Sequence, residues 1–277
     1  MLRAKLFLII LILALLIGGI ALRVATRTYG DQKVSLTGKI KSKKLNELSG
    51  VTPAKKEKEY WGHNDKGNDP KLFRFNDQGQ ILQTVVLKGI KNDDWEGMAK
   101  DRDGNLYIAG TGDNEYKKKA YHIYKLPEPE KKVDEVDDVT IYSFKYPDKR
   151  PHNCEAIFIL KEKIYLIPKE KNDTIKPKIY CLDKLEKKNK FTAREVGTLE
   201  IQGLVTDAAY SSGHQQLAVL TYSGIAFYSV KEEFHLFNPP IHYALSEFGQ
   251  CEALCYDGNN LVVTNESGTI WKYPAKL

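Results

Sequence analysis

The sequence lacks the motifs by which several enzyme classes are recognised. Its 277 residues contain no Gly-x-Ser-x-Gly nucleophile turn, no phosphate-binding Walker loop and no His-Glu-x-x-His pair. Its 6 His and 4 Cys residues are never grouped with the spacing of a zinc site. These absences exclude an α/β-hydrolase of the usual kind, a P-loop nucleotide-binding protein and a helical zinc protease.

The part of the chain that should fold also lacks a basic surplus. The net charge of +6 arises mainly from Arg3, Lys5, Arg23 and Arg27, because the first 27 residues contain no acid. Removing these four from the 42 bases of the chain leaves 38 against 36 acids. Since nucleic acids are bound by concentrated basic surfaces, we expect no nucleic-acid partner.

Long apolar runs are absent except for one near the start. Residues 6–22 form 17 consecutive positions without a polar side chain, just after Arg3 and Lys5. This predicts a transmembrane anchor in residues 1–27 and an exported domain in residues 28–277, on the periplasmic or extracellular face of a membrane. We favour an uncleaved anchor, although Gly19, Ile20 and Ala21 would also allow a cleaved signal. No lipobox-type cysteine indicates a lipoprotein.

What the chain does contain is one hairpin pattern that occurs five times. Each copy opens on an acid, continues through a short apolar strand and a turn, and ends in a second apolar strand. The period is 45 to 59 residues, which is typical of a β-propeller with four short strands in each blade. The opening acids are Glu47, Glu96, Glu155, Asp207 and Glu252.

Two further strands follow each hairpin except the last, so the final unit is one strand short. Residues 33–40 have strand character and precede the first unit, and they can supply the missing outer strand. Such closure removes the free edges of the sheet. We therefore predict an all-β fold, a five-bladed propeller closed by an N-terminal strand. A six-bladed propeller is the alternative if residues 113–138 contain an extra unit.

Several short motifs occur in a fixed order along the chain. They lie at residues 47–50 (Glu-Leu-Ser-Gly), 61–67 (Trp-Gly-His-Asn-Asp-Lys-Gly), 94–97 (Asp-Trp-Glu-Gly), 107–114 (Tyr-Ile-Ala-Gly-Thr-Gly-Asp-Asn), 126–129 (Leu-Pro-Glu-Pro) and 154–156 (Cys-Glu-Ala). The series resembles the SdiA-regulated and phytase-like-esterase group of bacterial propeller proteins over most of residues 45–275. More distantly, the acids are similar to those of the five-bladed calcium-activated apyrases, which implies a calcium ion in the central tunnel.

The five opening acids should converge at one mouth of the channel, because the first residue of each inner strand faces the axis. Carboxylates so close together need a cation or shared protons. All the candidate ligands are oxygens, which favours Ca2+. The predicted metal ligands are therefore Glu47, Glu96, Glu155, Asp207 and Glu252. Two alternatives stay open: the acids could accept backbone N–H groups of the neighbouring blade, or form a proton-sharing cluster.

A second set of polar residues should share this face, since the second strand of each hairpin ends where the first begins. His63 beside Asp65 could act as a base, and Lys169 could hold an anionic group. The predicted catalytic residues are His63, Asp65, Lys169 and Glu170. The predicted ligand-binding residues are Asn64, Asp113, Asn114, Tyr222, Asn265 and Glu266.

The sequence thus predicts a membrane-anchored propeller that binds a ligand or a protein partner on its acidic face, with a central Ca2+. The alternative is a metal-dependent, phytase-like hydrolase of phosphate or carboxylic esters at the same face. A scaffolding role within a membrane assembly is a third hypothesis, because a fold alone does not determine a function.

Overall fold

The computed structural model describes residues 34–275, except 173, 184, 186–189, 231–239, 241 and 246–248, and it describes only the backbone of residues 242–245. This part of the chain contains 22 β-strands and no helix. Accordingly, it includes no helix that is long and apolar enough to cross a membrane. The predicted anchor in residues 1–27 lies outside the described residues.

The strands form five separate sheets, which are the blades of the propeller. From the axis outwards, blade 1 consists of β2 (Leu48–Pro53), β3 (Glu59–Asn64), β4 (Lys71–Asn76), β5 (Ile81–Leu87) and β9 (Glu135–Val136); blade 2 of β6 (Met98–Lys100), β7 (Asn105–Gly110), β8 (Tyr121–Pro127), β10 (Thr140–Lys145) and β14 (Lys190–Thr192); blade 3 of β11 (Cys154–Leu160), β12 (Lys163–Pro168), β13 (Lys178–Leu182) and β15 (Arg194–Thr198); blade 4 of β16 (Val205–Ser211), β17 (Gln216–Thr221), β18 (Gly224–Ser229) and β19 (His242–Leu245); and blade 5 of β20 (Cys251–Asp257), β21 (Asn260–Asn265), β22 (Thr269–Pro274) and β1 (Ser35–Lys39).

Four strands of every blade form an antiparallel meander, while β9 and β14 are short parallel additions to the outer edges of blades 1 and 2. In blade 1, Val86 pairs with Glu135. Residues 113–138 therefore contain the third strand of blade 2 and an edge strand of blade 1, but no further blade. The five-bladed prediction is confirmed, and the six-bladed alternative is wrong.

The ring closes in the predicted way. Strand β1 pairs antiparallel with β22, with Ser35 opposite Lys272 and Lys39 opposite Thr269. The N–H of Ile40 then donates to the carbonyl of Gly268 at 2.8 Å. The N-terminal strand is thus the outer strand of blade 5, and the two ends of the propeller are joined by a sheet.

The core consists of five apolar clusters, and each lies between two neighbouring blades. Trp61 of blade 1 and Trp95, just before β6, are fully buried in the cluster between blades 1 and 2. Tyr60 and Val262 help to join blade 1 to blade 5. Since burying one large apolar side chain contributes about 1.5–3 kcal/mol, these interfaces hold the five inner strands around one axis.

Candidate functional site

In four blades, the inner strand carries a β-bulge directly after its first residue that pairs with the second strand. The residues without a direct partner across the hairpin are Ser49, Glu155, Thr206 and Glu252. Glu96 has the equivalent position in blade 2. It precedes Gly97, and its N–H donates to the carbonyl of Ala109 at 2.8 Å. A bulge changes the direction of a side chain. The five equivalent positions at the channel mouth are therefore Ser49, Glu96, Glu155, Thr206 and Glu252.

This register corrects the predicted ring of five acids in two blades. Glu47 lies two residues before the bulge; it lines the cavity described below from the preceding loop and accepts a hydrogen bond from the Asn68 Nδ2 at 2.6 Å. Asp207 lies one residue after the bulge and is fully buried. Its carboxylate accepts the N–H groups of Ala208 and Leu254, each at 2.8 Å. Asp207 thus links blade 4 to blade 5 by accepting a backbone N–H group of the neighbouring blade, which was one of the two alternatives to metal binding.

A second ring is formed by residues that follow the second strand of each hairpin. Asp65, Gly112 and Lys169 each donate their backbone N–H to the residue two positions before the bulge of the same blade, at 2.8–3.2 Å. Tyr222 does the same in blade 4, at 3.3 Å. Asp65, Lys169 and Tyr222 line a cavity of about 110 Å³ at the channel mouth, together with the bulge residues Ser49, Glu155 and Glu252 and with Glu96. The cavity is lined by Glu47, Leu48, Ser49, Asp65, Glu96, Asn114, Glu155, Lys169, Tyr222, Glu252 and Glu266.

The predicted base His63 does not line this cavity. Its side chain is fully buried and packs edge-on against Trp95, with ring centroids 5.4 Å apart. Its Nδ1 donates to the carbonyl of Asn64 at 3.1 Å. Burial lowers the pKa of His63 to about 4, so the ring is neutral at physiological pH. His63 therefore acts as a core residue, and its burial gives it no access to a ligand.

Four other predicted residues also lie away from the cavity. The Asn64 amide oxygen accepts the N–H groups of residues 46 and 47, the Asp113 carboxylate caps the N–H groups of residues 117 and 118, and the Asn265 amide oxygen accepts that of residue 269. Such bonds fix loops. Glu170 is half-buried and does not line the cavity. The predicted roles of these residues thus gain no support from their positions.

Two carboxylates that line the cavity, Asp65 and Glu96, lie close to a third, Asp94, which is buried beside them and does not line the cavity. Oxygens of Asp65, Asp94 and Glu96 all lie within 4.8 Å of one another. Ser49 donates its hydroxyl to Glu96 Oε2 at 3.2 Å, and the exposed Lys66 reaches Asp94 Oδ2 at 3.2 Å. Asp94 was not among the predicted ligands, although it stands two residues before Glu96 as Glu47 stands two before Ser49. The alignment of Ser49-Gly50 with Glu96-Gly97 is the sequence signal that could have identified it.

These three residues fit a divalent cation. Asp94 is 1% exposed, yet its Oδ1 has no hydrogen-bond partner among the residues that the structure describes. A buried carboxylate oxygen without a donor is costly unless a cation or a water satisfies it. The candidate metal ligands are all oxygens. Ca2+ prefers oxygen ligands and binds six to eight of them at about 2.3–2.6 Å. Part of the shell would come from water or from a ligand.

Space for this group depends on Gly112. A β-carbon built on Gly112 would lie 2.2 Å from Glu96 Oε1 and 2.8 Å from the Asp94 carboxyl carbon. We expect Gly112→Ala to displace both carboxylates and weaken Ca2+ binding at least tenfold, measured by calorimetric titration. The control is Gly197→Ala, because a β-carbon there meets nothing within 4 Å. Unchanged affinity in Gly112→Ala would show that the carboxylates do not hold the ion in this arrangement.

The cavity also contains a cation of its own. Lys169 Nζ lies 3.1 Å from Glu155 Oε1 and 3.0 Å from the Tyr222 hydroxyl, which donates to Glu252 Oε1 at 2.8 Å. Asn153 also donates to Glu155, at 2.8 Å. Lys169 and its partners therefore satisfy the carboxylates of blades 3 and 5. The cavity is therefore asymmetric: its ammonium group contacts Glu155 of blade 3, whereas Asp65, Asp94 and Glu96 group together in blades 1 and 2.

The pKa values of the acids reflect this crowding. Burial, and then the charges of Glu155, Asp65 and Asp94, raise the pKa of Glu96 well above its usual value. Burial also raises the pKa of Glu155, although Lys169 opposes the rise. The pKa of Glu252 increases to about 7, because of burial and the nearby Glu155. Without a cation, burial and mutual repulsion therefore favour the protonated forms of Glu96, Glu155 and Glu252.

Lys169 should contribute strongly to the stability of the folded protein through its ion pair with Glu155. Its side chain is 18% exposed and that of Glu155 is 6% exposed, so the pair is largely buried. Removing one member of a buried pair typically costs about 3–5 kcal/mol. We expect Lys169→Met to lose about that much unfolding free energy in denaturant titration at pH 8 without added cation. The neighbouring Lys171→Met should change it little, and equal losses in both variants would contradict this role.

Fold and cavity together define a class: a five-bladed β-propeller with a carboxylate-rich cavity at one mouth of its channel. Among solved structures, the chain is similar to a gluconolactonase from Xanthomonas campestris, with a TM-score of 0.53 and 9% identity over 89% of this chain and 91% of that one. It is also similar to a virginiamycin B lyase from Staphylococcus aureus, with a TM-score of 0.44 and 15% identity over 82% and 66% of the two chains. At these identities the likeness concerns the fold alone.

The sequence matches no protein-family model, and no curated protein is similar to it. The resemblance to the SdiA-regulated and phytase-like-esterase group therefore stays a prediction.

Proposed function

We propose that this protein is an extracytoplasmic, membrane-anchored propeller that binds Ca2+ at Asp65, Asp94 and Glu96 and binds a ligand over the ion. The observation that carries the proposal is the buried Oδ1 of Asp94, which lacks a hydrogen-bond donor within the described part of the chain and lies beside two other carboxylates. The membrane anchor and the location are part of the proposal, and the apolar run in residues 6–22 of the sequence supports them.

The open side of the cavity supports a ligand as the remaining partner of the ion. Asn114 and Glu266 are exposed at the rim, and Tyr222 is half-buried. The Lys169 ammonium group is 4.8 Å from the centre of the Tyr222 ring, and it lines the same cavity as Asp65 and Glu96. A ligand with one oxygen group for the ion and a second anionic group for Lys169 would contact both cations. Bound Ca2+ would supply a positive charge that polarises such an oxygen.

The test is thermal unfolding of the full-length protein in a neutral detergent. Binding at a concentration about 100 times Kd stabilises the folded state by about 2.7 kcal/mol. We expect millimolar Ca2+ to raise Tm by several degrees at pH 8, and Mg2+ to raise it less, because Mg2+ requires a stricter octahedral shell. The same Tm in Ca2+ and in EDTA would refute the cation site.

A second candidate function is hydrolysis of phosphate or carboxylic esters at the same cavity. One observation favours it: the pKa of Glu252 is about 7, so this carboxyl could accept a proton from water near neutral pH. Tyr222 links Glu252 to Lys169, which could hold an anionic group of the substrate. The gluconolactonase of similar fold acts, by its name, on a lactone, which is a cyclic carboxylic ester.

Hydrolysis can be measured with p-nitrophenyl phosphate, p-nitrophenyl acetate and glucono-δ-lactone, each with Ca2+ and with EDTA. The hydrolase hypothesis requires Ca2+-dependent turnover of at least one substrate, and loss of that turnover in Glu252→Gln. Turnover of none, together with a Ca2+-dependent Tm, would support the binding function alone.

A further inference from the structure

Two ammonium groups contact the carboxylates in and beside the cavity at the channel mouth, and they are held in different ways. The Lys169 side chain is 18% exposed, and its Nζ lies 3.1 Å from Glu155 Oε1 and 3.0 Å from the Tyr222 hydroxyl. The Lys66 side chain is 59% exposed, and its Nζ has one hydrogen-bond partner in the described part of the chain, Asp94 Oδ2 at 3.2 Å. Lys169 is therefore fixed in the cavity wall, whereas Lys66 can leave its carboxylate for water.

The partner of Lys66 is buried and only partly satisfied. Asp94 is 1% exposed, and its Oδ1 has no hydrogen-bond partner among the described residues. Its φ of 91° is also unusual, because a β-carbon disfavours positive φ. A strained backbone and an incompletely satisfied buried group are typical of functional sites, and they are not expected of a pair that serves stability alone. The pair of Lys66 and Asp94 therefore belongs to a binding site.

The Lys66 side chain can move without the backbone around it. Asn92 fixes two loops of the cation site, since its Nδ2 donates to the carbonyl of Asp65 at 2.8 Å and its Oδ1 accepts the N–H of Asp94 at 3.2 Å. Lys66 is followed by Gly67, where an added β-carbon would meet nothing within 4 Å. The side chain therefore borders open space, and its rotation requires no movement of Asp65 or Asp94.

A Ca2+ ion at this site and the Lys66 ammonium group would repel each other. Lys66 Nζ lies 3.2 Å from one oxygen of Asp94, so an ion bound to either oxygen would be closer to Nζ than about 10 Å, the Debye length at 0.1 M salt. Their repulsion is therefore poorly screened. Ca2+ has the larger charge and would also contact the carboxylates of Asp65 and Glu96, so it would replace Lys66 at Asp94.

We propose that Lys66 competes with Ca2+ for Asp94: its ammonium group pairs with this carboxylate when the ion is absent and leaves it when the ion binds. The inference rests on the proposed function, because it concerns the same three carboxylates. Lys66 thus weakens Ca2+ binding by the cost of its own displacement, and it compensates the buried charge of Asp94 in the ion-free protein. Loss of the positive charge, as in lysine acetylation, tightens the binding of Ca2+.

Calorimetric titration of the full-length protein with Ca2+, in a neutral detergent at pH 8 and constant ionic strength, tests the proposal. We expect Lys66→Met to bind Ca2+ at least about fivefold more tightly than the wild type, because the ion no longer displaces a cation. Lys66→Arg keeps the positive charge, so its affinity should stay within about threefold of the wild type.

Thermal unfolding in EDTA gives a second readout with the opposite sign. Without Ca2+, Lys66→Met should melt below the wild type, because the buried Asp94 has lost its partner. A lysine that only stabilises the fold would lower Tm and would not tighten Ca2+ binding. The matched control is Lys71→Met, which removes the same charge from a lysine whose partner, Asp69, is an exposed acid at 2.6 Å. It should change the Ca2+ affinity and Tm little, since exposed ion pairs contribute little.

Two results would overturn the proposal and leave the cation site in place. One is Ca2+ binding by Lys66→Met that is equal to or weaker than that of the wild type. The other is an equal tightening in Lys71→Met, since the change of net charge would then explain the effect. If neither the wild type nor Lys66→Met binds Ca2+, the cation site itself is refuted, and the competition with it.

Discussion

We expect Glu96→Gln to have opposite effects on stability with and without Ca2+. Glu96 is 5% exposed, and its pKa is raised well above the usual value by burial and by three neighbouring acids. In EDTA at pH 8, the neutral amide avoids the free-energy cost of either burying that charge or protonating the group, so the variant should melt above the wild type. In Ca2+ it should melt below the wild type, because the ion has lost a carboxylate.

Thermal melts of both proteins at pH 8, in EDTA and in 5 mM Ca2+, would show this crossing. A difference of about 1 kcal/mol shifts Tm by roughly 2–4 °C in a domain of this size. Asp69→Asn is the control, because Asp69 is an exposed acid that does not line the cavity. It should leave both Tm values within about 1–2 °C of the wild type. If Glu96→Gln melts below the wild type in EDTA as well, Glu96 is structurally required and the ion site is not centred on it.

Most of the fold could be predicted from the sequence, because a repeated hairpin carries two kinds of information that agree. The period of the acids indicates four strands per unit, and the missing strand of the last unit indicates closure by the N-terminal residues. Both inferences need only the approximate positions of the acids and of the apolar strands. Neither depends on the exact register of strand pairing. Pairing of Ser35 with Lys272 confirms the closure.

The site was harder to predict, since it depends on register to within one residue. Glu47 and Asp207 look equivalent to Glu155 only when acids are aligned with acids. The turns differ in length: two residues separate β11 from β12, but four separate β16 from β17. Counting along the chain therefore cannot show that the counterpart of Glu155 is Thr206 in blade 4.

Burial was the second source of error. His63 and Asp65 are separated by one residue at the end of a strand, yet His63 is fully buried and Asp65 lines the cavity. Alternation along a strand would give residues two apart the same face, and the two differ because β3 ends at Asn64, so that Asp65 follows the strand. Asp94 was missed for a related reason, because a loop residue has no periodicity that would indicate its direction.

The pH dependence of stability should distinguish the cavity acids from the other carboxylates. Acids in ion pairs elsewhere behave in the usual way: despite burial, Lys56 and Arg74 lower the pKa of Glu59. Such a group stabilises the folded state above its unfolded pKa near 4.5, and this stability is lost as the pH falls below that value. Its contribution is therefore constant between pH 5 and pH 8.

Between pH 5 and pH 8, the contribution of the cavity acids to stability instead decreases as the pH rises. Because the pKa values of Glu96, Glu155 and Glu252 are raised, the folded state holds protons that the unfolded state has released. The stability that they contribute is complete below about pH 4.5 and is lost as the pH rises through their folded pKa values, with Glu252 titrating at about 7. In EDTA, we therefore expect Tm to fall steadily between pH 5 and pH 8.

Calcium should reverse this trend, because Ca2+ and protons compete for the same oxygens. The difference between Tm in 5 mM Ca2+ and in EDTA should be near zero at pH 4.5 and largest at pH 8. In Glu252→Gln, the EDTA curve should fall less steeply between pH 6 and pH 8, because this variant lacks the carboxyl group whose pKa is raised to about 7. A Tm in EDTA that rises from pH 5 to pH 8 would mean that these carboxylates are ionised without a cation, and that the cavity has no need of one.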